Sequence, residues 1–302
     1  MKGSYYSAQA NEDFNKARTR ELFGTIFSLF KPDRQELLSF DDVKDLIKPR
    51  GESYRGIQVV PVSKIVGSEG RYRDFNKAFL PRHSHTKKRW TNVDEAHLKD
   101  IILPPIKLYE IGGVYFVRDG NHRVSVAVSQ GVEAIDAEVI SLNSELKFDP
   151  NMTKEDLKKK VIIYERDRFF EATELDKVID REELVFSATG RYDEIQKHIE
   201  GHKYFLNEKS KEEITFLEAA KSWHDTVFLP IIVTIKTENI LSRFPGRTQA
   251  DLYVWIVKHW DALKKKYGEG FSIQRATQDF SAQYGKGMWE KIKDILKRFF
   301  QK

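Results

Sequence analysis

The stretch that decides the fold is IKLYEIGGVYFVRDGNHRVSVA, residues 106–127. Apolar and aromatic side chains dominate residues 106–109 and 114–117, and this composition predicts two β-strands. Gly112-Gly113 between them predicts a tight hairpin turn, because glycine adopts a positive φ without steric cost. The second strand leads directly into Asp119-Gly120-Asn121-His122-Arg123, after which apolar residues recur at helical spacing. The stretch therefore predicts strand, hairpin, strand, turn and helix.

The flanking residues extend this unit. Residues 56–62 have the composition of a strand, and Pro61 predicts an edge position because proline has no N–H to donate to a neighbouring strand. Residues 94–102 predict a helix that Pro104-Pro105 ends. Gly131 ends the helix after the turn, and residues 135–140 predict a further strand. These elements together predict an α+β domain.

Helical spacing dominates the rest of the chain. Between residues 11 and 46, apolar residues from Phe14 to Phe30 recur at helical spacing, and Lys31-Pro32-Asp33 ends this run. Asp41 marks the start of a short second helix. Beyond about residue 143 the strand signals end. Six helices are predicted there, with Pro230, Pro245-Gly246 and 268–270 as punctuation: residues 150–160, 192–206, 216–233, 248–267, 273–284 and 289–300. We divide the chain into an N-terminal helical segment (1–55), a sheet domain (56–145) and an all-helical domain (146–302).

The composition limits the function classes. The 302 residues carry 51 Lys and Arg against 46 Asp and Glu, a net charge of +5 that permits contact with nucleotides or nucleic acid but requires clustering to be useful. The absence of cysteine excludes disulfides, thiolate catalysis and cysteine zinc sites. The N-terminus lacks a signal-peptide core, and no apolar run reaches the roughly 18 residues of a spanning helix. We expect a soluble, cytoplasmic protein with no membrane span.

The Asp119 to Arg123 turn is the strongest candidate site. A loop between a strand and a helix N-terminus points unpaired N–H groups at one place, where the helix dipole adds about half a positive charge. Gly120 permits close approach of a ligand, and the Arg123 guanidinium can hold a phosphate through two hydrogen bonds. His122 could donate to a phosphate or move a proton, and Asp119 could hold a metal or orient a hydroxyl. The alternative is ordinary turn chemistry, with Asp119 as helix N-cap and His122 and Arg123 as solvated residues.

A basic segment precedes the turn in the sequence. Residues 71–89 contain seven cations: Arg71, Arg73, Lys77, Arg82, Lys87, Lys88 and Arg89. They could line the same site or contact a nucleic-acid backbone, and a solvated basic loop is the alternative. His83 and His85 lack nearby acidic ligands in the sequence, so we predict that this pair does not bind a metal ion and that the protein has no metal site formed by its side chains alone.

Residues 106–127, preceded by Val60 to Ile65, resemble the ParB/sulfiredoxin superfamily. Its members share a strand, a loop and a Gly-x-x-Arg turn that opens a helix, here Gly120 to Arg123. The resemblance implies a mixed-sheet domain, followed here by the all-helical domain, and a turn that binds nucleotide phosphates: CTP in ParB proteins, ATP in sulfiredoxins, ADP or ATP in free-serine kinases. It covers about 85 residues.

The chain departs from each branch of that superfamily. Sulfiredoxins need a cysteine in the turn, where this chain has Asn121, so their redox reaction is excluded. No clear helix-turn-helix signature of the ParB clamps follows, and the carboxylate of the serine kinases has no firm counterpart among Glu52, Glu69 and Asp74. A further likeness, to bacterial proteins with a helical C-terminal domain, includes residues 79–82, 89–90 and 244–253 but brings no activity.

We therefore hold two hypotheses. In the first, the chain is a ParB-like nucleotide-binding protein, a phosphotransferase (kinase) or an NTPase or switch, with Asp119 and His122 as candidate catalytic residues and Mg²⁺ balancing charge. The phosphates of CTP, ATP or ADP would be bound by Gly120, Asn121, His122, Arg123, Arg82, Lys87, Lys88 and Arg89. In the alternative, the chain is a non-catalytic DNA-binding transcriptional or partitioning regulator that contacts DNA through residues 71–89. A homodimer stays open in both.

Overall fold

The computed structural model describes residues 2–28, 37–267 and 273–284. Two compact units divide the chain, Met1–Val161 and Ile162–Lys302. The finer boundaries at residues 56 and 146 stay predictions. Among the described residues, no helix is both long enough and apolar enough to cross a membrane.

The first unit is built on a six-stranded mixed sheet. Its strands are β1 (Leu38–Ser39), β2 (Glu52–Pro61), β3 (Ile65–Ser68), β4 (Ile106–Ile111), β5 (Val114–Asp119) and β6 (Ala134–Leu142). The spatial order is β1-β3-β5-β4-β6-β2. β3 is parallel to β1 and β5, β4 is parallel to β6, and the β4–β5 and β2–β6 pairs are antiparallel. The edge position predicted from Pro61 is confirmed, because β2 pairs only with β6.

The helices of this unit are α1 (Lys2–Ser28), α2 (Phe40–Ile47), α3 (Lys87–Leu98) and α4 (Asn121–Ser129), and α5 (Lys154–Thr173) contains the boundary between the units. α3 begins at Lys87, seven residues before the predicted start at Asp94. The basic residues Lys87 to Arg89 therefore belong to the helix, and the buried Trp90 anchors it in the core. The Trp90 ring is fully buried; its Nε1 donates to Ser125 Oγ of α4 at 2.8 Å, and its face meets Phe14 of α1. These contacts fix α3 between α1 and α4.

The hairpin and the following turn are as predicted. Gly112 and Gly113 have φ of 61° and 89°, and β5 runs into α4 through Gly120. β5 buries Val114, Phe116 and Val117, and α4 buries Val124 and Val126. This packing places the N-terminus of α4 at the end of β5.

In its described residues the second unit contains helices and no strand: α6 (Arg191–Asn207), α7 (Phe216–Trp223), α8 (Leu229–Thr237), α9 (Gln249–Tyr267) and α10 (Ile273–Tyr284). The helix predicted over 216–233 is confirmed as one continuous helical stretch, which consists of α7, a π-helical turn (His224–Phe228) and α8. Helical structure continues through Pro230, which lies at the start of α8, just after the π-helical turn. The helix predicted over 289–300 and the turn at 268–270 lie outside the described residues.

The core of the second unit is aromatic. Trp223 Nε1 donates to the Tyr253 hydroxyl at 2.9 Å, and His198 Nδ1 lies 3.1 Å from the same oxygen. Burial therefore leaves these polar atoms paired.

The predicted fold class, a mixed-sheet α+β domain followed by a helical domain, is confirmed.

Gly67 of β3 provides a test of how tightly the sheet is packed at the end that carries the candidate site. A Cβ at Gly67 would meet the Leu38 carbonyl and lie 2.6 Å from Phe116 Cε1. We expect Gly67→Ala to lower the free energy of unfolding by about 2 kcal/mol, measured by urea denaturation. Gly51→Ala is the control, because its Cβ would make only an ordinary 3.5 Å contact with Asn143. An equal loss in both variants would contradict the packing described here.

Candidate functional site

The candidate site is a cavity at the carboxyl ends of two adjacent parallel strands. The chain leaves β3 through Glu69 to Arg71 and leaves β5 through Gly120, at the same edge of the sheet, and Glu69 N donates to the Val117 carbonyl at 2.9 Å. These two segments, one face of α3 and the loop between α3 and β4 enclose about 340 Å³. Ligands in open α/β sheets bind at such carboxyl ends.

The N-terminus of α4 opens into this cavity without a side-chain cap. Gly120 is the N-cap residue with φ 107°, and the first backbone hydrogen bond of the helix runs from Val124 N to the Gly120 carbonyl at 3.0 Å. The amides of the three residues between them therefore precede the helical hydrogen-bond ladder. The alternative in which Asp119 is the N-cap is wrong, because its carboxylate pairs with Arg123 instead.

Gly120 is required for this geometry on two grounds. Its positive φ is a conformation that L side chains rarely adopt, and a Cβ there would lie 2.5 Å from Ile106 Cγ2 of β4. The backbone at the start of α4 thus packs directly on the sheet. At Gly120 the cavity is lined by main chain instead of a side chain.

The cavity is strongly cationic. Four arginines line it, Arg71, Arg89, Arg118 and Arg123, against two carboxylates, Glu69 and Asp119. Arg71 pairs with Asp74 at 3.1 Å, and Arg118 lies over the Tyr109 ring at 5.6 Å. Arg89 is exposed, and no described residue forms an ion pair with its guanidinium. This excess of positive charge suits an anion.

Two buried polar side chains in the cavity wall have unused hydrogen-bonding atoms. Asn121 and His122 are each 6% exposed, and neither Asn121 Oδ1 nor His122 Nδ1 has a hydrogen-bond partner in the described part of the chain. Buried polar atoms are almost always paired in folded proteins, so each of these two atoms still has the capacity to form a hydrogen bond. They lie at the helix N-terminus that the four arginines surround.

His122 is uncharged at neutral pH. Burial, followed by repulsion from Arg89 and Arg71, lowers its pKa from 6.5 to about 4. Its ring also meets the edge of Phe75, with centroids 5.4 Å apart. The imidazole therefore offers the cavity hydrogen-bonding atoms without adding to its charge.

Arg123 has a different environment from the solvated one expected for a residue in a first helical turn. Its Nη1 donates to the carbonyls of Pro104 and Pro105, and its Nη2 pairs with Asp119 Oδ2 at 2.7 Å. Only 15% of the side chain is exposed. Arg123 thus links the turn to the loop that precedes β4. Its guanidinium already makes three contacts within the protein, so binding of phosphate, as predicted, would have to add to these contacts or replace them.

The structure separates the other predicted phosphate-binding cations. Arg89 lines the cavity with Gly120, Asn121, His122 and Arg123. Arg82 lines another cavity together with Arg73, and its Nε lies 3.9 Å from Glu21 Oε1. Lys87 lies over the Phe14 ring at 5.9 Å, and Lys88 is exposed beside the cavity residues without lining it. Phosphate binding by any of these residues stays a prediction.

Arg71, one of the cations expected to line this site, does line the cavity. Arg118, Val93, Leu103 and Pro104 line it as well, although no sequence pattern placed them there. Arg118 directly precedes the turn, which is the one local signal that could have identified it.

For metals, no cluster of three or more His, Cys, Asp or Glu suited to a metal ion occurs among the described residues. Glu69 and Asp119 supply only two carboxylates.

The low pKa of His122 has a consequence for stability. Below about pH 6.5 the unfolded chain protonates this histidine, whereas the folded protein does so only near its folded pKa of about 4. The unfolded state binds more protons in that window, so stability falls as the pH falls through it. Between about pH 7.5 and about pH 5 we expect the free energy of unfolding to fall by about 2 kcal/mol more in the parent than in His122→Gln, measured by urea denaturation. The same fall in both proteins would show that His122 titrates normally.

The contacts of Arg123 give a second stability test. Its removal leaves two carbonyls and a carboxylate without a charged donor, so we expect Arg123→Ala to lower the free energy of unfolding by about 2 kcal/mol. Arg118→Ala is the matched control, since the exposed Arg118 contacts an aromatic ring and its loss costs less than about 1 kcal/mol. If thermal and urea unfolding show no difference between the two variants, Arg123 has no structural role.

No protein-family model matches the chain, and no curated protein matches it. Among solved structures, the chain is similar to the crystal structure of sulfiredoxin from Arabidopsis thaliana, with 19% sequence identity and a TM-score of 0.22 over 28% of this chain and 84% of that chain. It is also similar to the structure of the pNOB8-like ParB N-domain, with 11% identity and a TM-score of 0.21 over 74% of this chain and 81% of that chain. Because both TM-scores are far below 0.5, neither similarity indicates a ligand or an activity for this chain.

Proposed function

We propose that the first unit binds a nucleotide, with its phosphates at the N-terminus of α4. The observation that carries this proposal is the uncapped N-terminus of α4, which lines the same cavity as four arginines. Its first two residues, Asn121 and His122, each have a buried side-chain atom without a hydrogen-bond partner among the described residues. Helix N-termini bind phosphate because free amides and the helix dipole act on the same anion. Arginine adds charge and paired donors.

The size and charge of the cavity suit a nucleotide. Its volume of about 340 Å³ is within the range of about 300–1,000 Å³ for small-molecule sites. The phosphates lie against Arg71 and Arg89 and the amides that begin α4. Glu69 and Asp119 can supply oxygens to the Mg²⁺ that accompanies such phosphates, since Mg²⁺ is commonly held by one or two carboxylates together with the substrate. CTP, ATP and ADP are the ligands to compare.

The geometry favours a binding switch, with phosphoryl transfer or hydrolysis as the reaction class if the ligand turns over. A histidine with a pKa of about 4 is a weak base at neutral pH, so His122 contributes hydrogen bonding more than proton transfer. Asp119 is engaged by Arg123, and its side chain is 60% exposed. Positioning and charge neutralisation, which dominate phosphoryl transfer, are what these residues supply.

Arg89 and Lys88 provide a matched test. They are neighbours on α3 with the same charge, but only Arg89 lines the cavity. We expect Arg89→Ala to weaken nucleotide binding at least roughly tenfold, because a charge-assisted hydrogen bond to phosphate contributes about 1.5–3 kcal/mol. Lys88→Ala should leave the dissociation constant nearly unchanged.

The measurement is isothermal titration calorimetry with CTP, ATP and ADP, with and without Mg²⁺, supported by thermal shift, because a ligand that binds only the folded state raises the melting temperature. Equal weakening in both variants would indicate nonspecific attraction to a basic surface. No heat and no thermal shift with any of the three nucleotides would refute the proposal.

A further inference from the structure

One wall of the cationic cavity is apolar. Val93 of α3 and Leu103 and Pro104 of the loop that precedes β4 line the same space as the arginines. Leu103 is 37% exposed, so much of its surface is available to a ligand. A free phosphate would leave this wall in contact with water, whereas a ligand with a flat ring would cover it. The cavity therefore offers two chemistries, one for anions and one for an apolar face.

Arg123 holds this wall in place. Its guanidinium donates to the carbonyls of Pro104 and Pro105, while its backbone belongs to the first turn of α4. The two prolines have fixed φ angles and no N–H of their own, so their carbonyls are the groups by which this loop can be anchored. Through one side chain the apolar wall keeps a fixed position relative to the amides at the start of α4.

We infer that Leu103 and Pro104 bind the base of the nucleotide and that Arg123 acts as the positioning residue for this wall. The inference rests on the proposed function and assigns the part of the cavity that binds the base. A polyphosphate without a ring therefore binds more weakly than a nucleotide. Contact between the ring and Leu103 and Pro104 removes apolar surface of the ring and of both side chains from water. This burial is the reason why a nucleotide binds more tightly than a polyphosphate.

The experiment compares a nucleoside triphosphate with tripolyphosphate, which has the charge without the base. In calorimetry with the full chain, we expect CTP or ATP to bind more tightly than tripolyphosphate. Leu103→Ser should weaken nucleotide binding roughly tenfold, the effect of losing one buried aliphatic contact, and should leave tripolyphosphate binding unchanged. Ile102→Ser is the matched control on the same loop, because Ile102 is 96% exposed and does not line the cavity. It should change neither affinity.

Arg123→Ala separates positioning from direct phosphate binding. A positioning role predicts that the variant loses more affinity for the nucleotide than for tripolyphosphate, whereas a residue that binds only phosphate would be needed equally for both. Equal losses for the two ligands in Leu103→Ser, or a nucleotide affinity that this substitution does not change, would overturn the assignment of the base. If the parent bound tripolyphosphate as tightly as the nucleotide, the ring preference would be wrong while phosphate binding stood. If it bound neither, the proposed function itself would fail.

Discussion

The backbone at Gly120 must pass from strand to helix within one residue while lying against Ile106 of the neighbouring strand. No side chain fits there, and the φ of 107° belongs to glycine. This constraint determines the rest of the site. It brings the start of α4 onto the sheet, leaves three amides without a capping side chain, and sets Arg123 within reach of the loop before β4.

The electrostatics of the cavity follow from that placement. Four arginines would repel one another in an empty site, and the structure reduces this cost in part through Asp74, Asp119 and the Tyr109 ring. Burial and the same arginines keep His122 uncharged. Among the described residues, the arginines of the cavity without an ion-pair partner are Arg89 and Arg118. Under the proposed function, a bound anion would relieve the repulsion among these arginines.

Local chemistry determined what could be predicted from the sequence. Gly112-Gly113 and Gly120 have conformational requirements that only glycine meets easily, so the hairpin and the turn could be recognised from the residues themselves. The distribution of the basic segment could not. Arg71 and Arg82 are eleven positions apart in a run of cations, yet they line different cavities, because the chain between them folds back through the Phe75–Pro81 bridge. Spacing along a sequence carries no information about such a reversal. Leu103 was missed for a similar reason, since a loop leucine has no periodicity to interpret.

The position of Arg89 next to Trp90 on α3 affects the rate at which an anion can associate with the cavity. Trp90 is fully buried and hydrogen-bonded to α4, so the helix that presents Arg89 is anchored in the core. An arriving anion can be met by rotation of an exposed side chain alone, with no displacement of the helix. Association through Arg89 should therefore be governed by diffusion and by steering in the field of the arginines, and its rate should decrease with ionic strength as that field is screened.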